Sequence, residues 1–557
     1  MKRGLLFSFI VVLTISELLT FGYAQEVVED SAIVTTQMVQ NAEQIIGIEL
    51  SPAERDSLLE ELDYNLGLYQ AMREVNIDNA VSPALMFNPV PPGMTFDTVQ
   101  RPIVWSPPVN TEMPEDLDDL AFYSVRDLGE LIRTQKITSI QLTQLALDRL
   151  RRFDDSLHCV ITLTEELALE QAAQADSEIA AGNYRGPLHG IPYGAKDLLA
   201  TKGYRTTWGA MPYKNQVLDY DATVIAKLHE AGAVLVAKLT LGALAWGDVW
   251  YDDTTRNPWN LQQGSSGSSA GPASAVAAGL VPFAIGSETW GSIVSPSTRC
   301  GATGLRPTFG RVSRAGAMAL SWSMDKLGPI CRTAEDCAIV FDAIRGADGQ
   351  DLTVRDLPFN YRPEVDLSQI RIGYLHEDFA ADSTYRAQNT AALDKLRELG
   401  ANLIEISLPD FPVEPIQITL SAEAAAAFDQ LTLSGRDDLL VRQVKNAWPN
   451  VFRSAWFIPA VEYIQANRLR TMVIDSMARM MEQIDVYISP SFEGNNLLLT
   501  NLTGHPCVVL PHGFNDEGSP TSITFIGRLY DEATVLAVAR AYQEATDFHR
   551  QHPEMFQ

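Results

Sequence analysis

Cysteine is scarce in this chain, five in 557 residues, and Cys159, Cys300, Cys331, Cys337 and Cys507 show no Cys-x-x-Cys spacing. That excludes a zinc site on paired cysteines and a disulfide framework, so burial is their expected role, with a single disulfide left open. Histidine is scarce too, eight residues in no evident motif, so no histidine base announces itself. Positive charge is short: 42 Lys and Arg against 70 Asp and Glu give a formal net charge of -28. A surface of that sign repels nucleic acid and anionic lipid, and neither a nucleic-acid partner nor a stable membrane anchor is expected. Apolar material is plentiful, at 46% hydrophobic against 20% charged residues, which excludes disorder of the whole and supplies one large core or two.

The one long apolar run stands at the start. Met1-Lys2-Arg3 precedes an apolar stretch from Gly4 to Phe21, interrupted by Glu17 and followed by Gly22-Tyr23-Ala24. This is the pattern of a signal peptide over 1–24, cleaved after Ala24, and it predicts export to the periplasm or the exterior. Residues 25–81 read as an N-terminal helical extension, helical from about Thr36 to Val75. Ser51-Pro52-Ala53-Glu54 marks a helix start there, and Leu58, Leu59, Leu62 and Leu66 recur at helical spacing. Residues 82–118 form a connector in which Pro83, Pro89, Pro91, Pro92, Pro102, Pro107, Pro108 and Pro114 forbid helix interiors and central strands.

From 119 to 547 helix and strand patterns alternate, and 548–557 form a short tail. Asp221 to Glu230 and Thr384 to Leu399 read as helices. Ala233 to Ala237, Arg371 to Leu375, Ala401 to Leu408, Val486 to Ile488, Cys507 to Leu510 and Ile523 to Ile526 read as strands. Such alternation predicts an α/β fold, a large mixed β-sheet covered by helices on both faces.

Two segments are rich in small residues for a reason other than flexibility. Gly264-Ser265-Ser266-Gly267-Ser268-Ser269-Ala270-Gly271 feeds directly into an apolar helical stretch. Such a loop brings backbone N–H groups and hydroxyls close to a ligand. Gly286-Ser287-Glu288-Thr289-Trp290-Gly291-Ser292-Ile293 follows an apolar run and can present a serine beside converging N–H groups. A serine nucleophile needs a base. Gly190-Ile191-Pro192-Tyr193-Gly194-Ala195-Lys196-Asp197 offers a lysine among apolar neighbours, where burial depresses its pKa toward general-base use.

These segments together resemble the amidase signature family. The likeness runs through Ser266 to Gly271, Thr289-Trp290-Gly291-Ser292-Ile293, Gly301 to Ser313, Ser323-Met324-Asp325-Lys326-Leu327-Gly328-Pro329-Ile330 and Asn501 to Pro506. The resemblance implies Lys196 as base, Ser268 on a cis peptide bond as proton bridge, and Ser292 as nucleophile. It also implies an oxyanion hole from the N–H groups of Thr289, Trp290, Gly291 and Ser292, and substrate contacts from Ser269 and Trp290. The expected activity is hydrolysis of a small-molecule amide through an acyl-enzyme, with no metal and no organic cofactor. The chain departs from the family's pattern at Trp290, where glycine is usual, and at Val294, where arginine is usual; the triad is intact.

Other functions stay open. One is the glutamine-hydrolysing component of a tRNA-dependent amidotransferase, against which the N-terminal segment and the lack of a basic stretch in Ser434 to Phe452 argue. The same triad also serves esters or carbamates. A binding protein that kept the fold would be expected to have lost a triad member.

Overall fold

The computed structural model describes residues 33–75 and 77–557, so the expected signal peptide at 1–24 lies outside the described residues. The chain divides into two compact units, one ending before Ile77 and one running from Ile77 to Gln557. In the first, the expected helical stretch is two helices, Thr36–Ile46 and Pro52–Arg73. Gly47, at φ 75°, closes the first in the left-handed conformation that glycine tolerates. Ser51 and Glu54 form a reciprocal capping box at the start of the second. No helix among the described residues is long and apolar enough to cross a membrane.

The second unit is built on strands β1 (Val160–Leu163), β2 (Pro192–Lys196), β3 (Val234–Leu239), β4 (Arg256–Asn257), β5 (Asn260–Gly264), β6 (Phe283–Glu288), β7 (Thr303–Arg306), β8 (Lys326–Cys331), β9 (Ile372–Leu375), β10 (Leu403–Ile406), β11 (Val486–Pro490), β12 (Cys507–Phe514) and β13 (Pro520–Gly527). β4 and β5 pair with each other; the other eleven form one sheet in the order β1-β3-β2-β6-β8-β7-β12-β13-β11-β9-β10. The sheet is mixed: β3, β2 and β6 run parallel, as do β11, β9 and β10, while the strands from β6 through β13 to β11 pair antiparallel.

Alternation along the strands explains why helices cover both faces. Tyr193, Leu235, Phe283 and Ile285 point into one core with Leu128, Phe341 and Val535 of the helices Val125–Arg133, Ala334–Ile344 and Glu532–Glu544. Val234, Val236 and Ala284 point the other way, onto Leu150 and Val276 of Ser139–Leu157 and Ala270–Ala277. At the far end Val509 and Ile526 meet Met477 of Ala460–Met481. Buried on both sides, these strands read as apolar runs, and each large side chain so removed from water contributes roughly 1.5–3 kcal/mol.

The proline-rich connector is extended and packed on the second unit: Val104 donates to the Tyr361 carbonyl at 3.2 Å, and Phe87 meets Phe309 edge-on at 4.9 Å. The tail is anchored by Phe556, which is buried with its ring 5.0 Å from Phe153. All five cysteines are buried and free, so no disulfide forms.

Candidate active site

Lys196 ends β2, a strand buried at every position between β3 and β6. Leu239 packs so close to Gly194 that an added Cβ would sit 2.3 Å from its Cδ1, so a larger residue two positions before the lysine would have to push that side chain aside. Lys196 is fully buried, and its Nζ bonds to Ser268 Oγ at 2.8 Å, Ser287 Oγ at 2.8 Å and Ser269 Oγ at 3.0 Å. These partners are all neutral. Burial pushes its pKa well below the usual 10.5, with the charges of Asp325 and Glu288 opposing.

The glycine- and serine-rich loop turns sharply before the helix Ala270–Ala277. Gly267-Ser268 is a cis peptide bond, and a Cβ on Gly267 would lie 1.9 Å from the Gly247 carbonyl. Ser266 has φ 60°, an uncommon conformation for a residue other than glycine. It is secured by Asp248 Oδ2, which accepts its N–H at 2.8 Å. Ser269, expected among the substrate contacts, is fully buried. Its hydroxyl accepts from Lys196 and from the Ser287 N–H and donates to the Ser287 carbonyl at 3.1 Å.

Ser292 stands where β6 gives way to the helix Val294–Cys300. Its carbonyl accepts the Ser269 N–H at 3.1 Å, which ties the two loops together. Among the described residues its hydroxyl has no hydrogen-bond partner, and the N–H groups of Thr289, Trp290, Gly291 and Ser292 donate to no protein group. The structure therefore brings Lys196 and Ser268 into direct contact and leaves Ser292 unbonded beside four free amides. Gly291, at φ 83°, makes the turn possible. Trp290 projects outward, 41% exposed.

What holds this turn was not singled out in the sequence. Glu288, the last residue of β6, is fully buried and folds back over the turn. Its Oε2 accepts the N–H groups of Ile293 at 2.8 Å and Val294 at 3.0 Å. Its Oε1 meets Arg306 Nη1 at 2.7 Å and Asn501 Nδ2 at 2.8 Å. Burial alone would raise its pKa, but the Arg306 charge and these hydrogen bonds outweigh it and hold the carboxyl at about 2. Thr289 Oγ1 donates to Asp325 Oδ1 at 2.6 Å, fixing the start of the turn. The available signal was an acidic residue ending an otherwise apolar run, five positions before the amide it bonds.

A buried lysine on a serine pair, beside a second serine flanked by free amides, is the equipment of a serine hydrolase with a lysine base. A family model described as Amidase matches residues 141–500. The A component of the glutamyl-tRNA(Gln) amidotransferase of Roseiflexus sp. is 36% identical over 480 residues, covering 78% of this chain and 98% of that protein. The same component from Coxiella burnetii is 33% identical over 78% of this chain. Among solved structures, the native peptide amidase of Stenotrophomonas maltophilia superposes with a TM-score of 0.70 at 28% identity, over 77% of this chain and 98% of that one. The corresponding amidotransferase component of Thermotoga maritima gives 0.65 at 26% identity, over 78% and 96%. The chain belongs to the amidase signature family and is an enzyme that hydrolyses amide C–N bonds.

The expectation of export is corrected by these findings. Relatives matched over nearly their whole length are components of an amidotransferase named for glutamyl-tRNA(Gln), which is no task for a secreted protein. The physical reason for the miss is that a short basic and apolar N-terminal run is a compositional signal, read from residue types alone.

Proposed function

We propose that this protein hydrolyses primary carboxamides through an acyl-enzyme on Ser292, and that the side-chain amide of glutamine is the substrate class it takes. The contact of Lys196 with Ser268, on the loop that the Ser269 N–H ties to the Ser292 carbonyl, carries the chemistry. The neutral amine of Lys196 takes the proton of Ser268, whose oxygen takes the proton of Ser292, and Ser292 Oγ attacks the carbonyl carbon. The free N–H groups of Thr289 to Ser292 hold the developing oxyanion. As the C–N bond breaks, the relay returns its proton to the departing nitrogen. Water then attacks the ester through the same relay, releasing the acid and restoring Ser292. Ser269 and Ser287 keep Lys196 aimed at Ser268.

Glutamine is favoured by the amidotransferase relatives, since the chain covers 98–99% of their length in the matches with Roseiflexus and Coxiella. With a net charge of -28, contact with tRNA would fall to a separate partner chain. Hydrolysis of peptide amides, the second reading, is favoured by the higher TM-score with the peptide amidase, 0.70 against 0.65. The test is ammonia release from glutamine, peptide amides, fatty and primary aryl amides, with acid release from esters followed alongside. Glutamine is expected to give the highest kcat/KM, and Ser292→Ala to lose at least about a thousandfold. A higher kcat/KM on peptide amides would select the second reading, and no turnover of any amide would refute both.

A further inference from the structure

Where the second unit begins, just ahead of the proline-rich connector, the chain makes a contact that the mechanism does not use. A turn closed by the Val81 N–H on the Asp78 carbonyl at 3.0 Å holds Asn79, half-buried between exposed neighbours. The Asn79 amide pairs with Ala319 as a neighbouring strand would: Oδ1 accepts the Ala319 N–H at 2.8 Å, and Nδ2 donates to the Ala319 carbonyl at 3.0 Å. Nδ2 also donates to the Ala427 carbonyl at 3.2 Å, at the end of the helix Ile418–Ala427, where carbonyls lack helical partners. Eight residues on, the Phe87 ring lies 3.7 Å from the guanidinium of Arg470, which donates to Ser323 Oγ at 2.8 Å and to the Ser323 carbonyl at 2.9 Å.

Ala319 and Ser323 belong to a segment that touches both halves of the site. At one end the Met318 N–H donates to the Leu198 carbonyl at 3.0 Å, two residues past Lys196. At the other, the N–H groups of Leu320 and Ser321 donate to Asp325 Oδ2 at 2.8 and 2.9 Å, while Oδ1 of the same carboxylate accepts the Thr289 hydroxyl at 2.6 Å. The helix that Asn79 caps grips this segment as well: Glu423 accepts the Ser321 hydroxyl at 2.6 Å, the Ser323 hydroxyl at 2.7 Å and the Ser323 N–H at 3.0 Å. Bonded steps thus run from Asn79 to Ala319, from the next two amides to Asp325, and from Asp325 to Thr289, the first residue of the turn with the free N–H groups.

We propose that Asn79 is a positioning residue for the hydrolysis: by fixing Ala319, and with it the hold of Asp325 on Thr289, it keeps the N–H groups of Thr289 to Ser292 aimed at the oxyanion. The inference rests on the hydrolase reading above and goes beyond it, because it gives a part in turnover to chain that precedes the matched stretch 141–500. Oxyanion donors act on the transition state, so a turn that drifts loses kcat while the ground-state binding behind KM stays in place. The residue type matters. An aspartate at position 79 keeps the acceptor for the Ala319 N–H but sets a carboxylate against two carbonyls with nothing to donate.

The experiment follows the primary amide that the wild type turns over fastest, in the wild type, Asn79→Ala, Asn79→Asp, Thr289→Val and the double variant Asn79→Ala/Thr289→Val. A serine-directed acylating probe, run to completion, counts the competent Ser292 in each sample, so that misfolded chains drop out of kcat. Asn79→Ala is expected to lower kcat at least about fivefold with KM changed less than about twofold, and Asn79→Asp to lose at least as much. Thr289→Val removes the link to Asp325, so in that background Asn79→Ala should cost less than about twofold. Hydrogen exchange reads the same path without turnover: in Asn79→Ala the Leu320 and Ser321 amides should exchange at least about tenfold faster, with the helix Glu532–Glu544 unchanged. An unchanged kcat in Asn79→Ala, a loss carried by KM alone, the same proportional loss with and without Thr289, or unchanged exchange at Leu320 and Ser321 would each overturn the assignment. A wild type that cleaves no amide would instead overturn the hydrolase reading on which the role rests.

Discussion

Glu288 offers the sharpest test of how the site is held. Glu288→Gln keeps the size of the side chain and removes its charge. The folded carboxyl stands at about 2 against an ordinary 4.5, and at 1.36 kcal/mol per tenfold change in proton affinity this corresponds to about 3 kcal/mol of stability at neutral pH. The variant also leaves Arg306, which is fully buried and otherwise bonded to the His505 carbonyl at 3.0 Å, without a counter-charge. Removing one partner of such a pair costs about 3–5 kcal/mol, in agreement. Urea unfolding followed by the fluorescence of the nine tryptophans measures the loss. Because the folded value is depressed, the contribution is complete above about pH 4.5 and disappears as pH falls toward 2, so wild type and variant should converge there. Arg306→Met should cost a similar amount alone and much less on top of Glu288→Gln, since the double variant leaves no charge unpaired. A variant within about 0.5 kcal/mol of wild type at pH 7, or strict additivity of the two changes, would refute the reasoning.

The pH profile of kcat/KM should rise from acid as Lys196 loses its proton. Burial lowers the pKa of that amine and only its neutral form has a lone pair, so activity falls as pH drops through the lowered value; a plateau extending into strong acid would rule out Lys196 as the base. Trp290→Gly removes an indole that projects from the turn while leaving the backbone N–H in place. It should therefore change the preference between a bulky and a small acyl amide, measured as the ratio of kcat/KM; an equal proportional change for both would show that the indole shapes no pocket.

The α/β alternation was legible because strands buried on both faces are written as apolar runs. Val486–Pro490 and Cys507–Phe514 were located to within a few residues, and the helices Thr223–Glu230 and Arg386–Glu398 lie inside the expected spans. Lys196, Ser268 and Ser292 were named through the family's motifs, and composition alone would not have picked one lysine from 42 basic residues. The surroundings were hidden for a physical reason. Ser287, Glu288, Arg306, Asp325 and Asn501 act through long-range hydrogen bonds whose partners share no local period, and only the sheet order brings them together.

The bond from Asn501 to Glu288 spans 213 positions of sequence. Lys196, Ser268 and Ser292 all precede in sequence the side chain that completes the clamp on the turn after β6. That clamp requires the region beyond residue 500, which reaches the turn because β12 pairs with β7. The clamp on this turn is thus a property of the assembled sheet, in place only where segments 213 positions apart in sequence have come together.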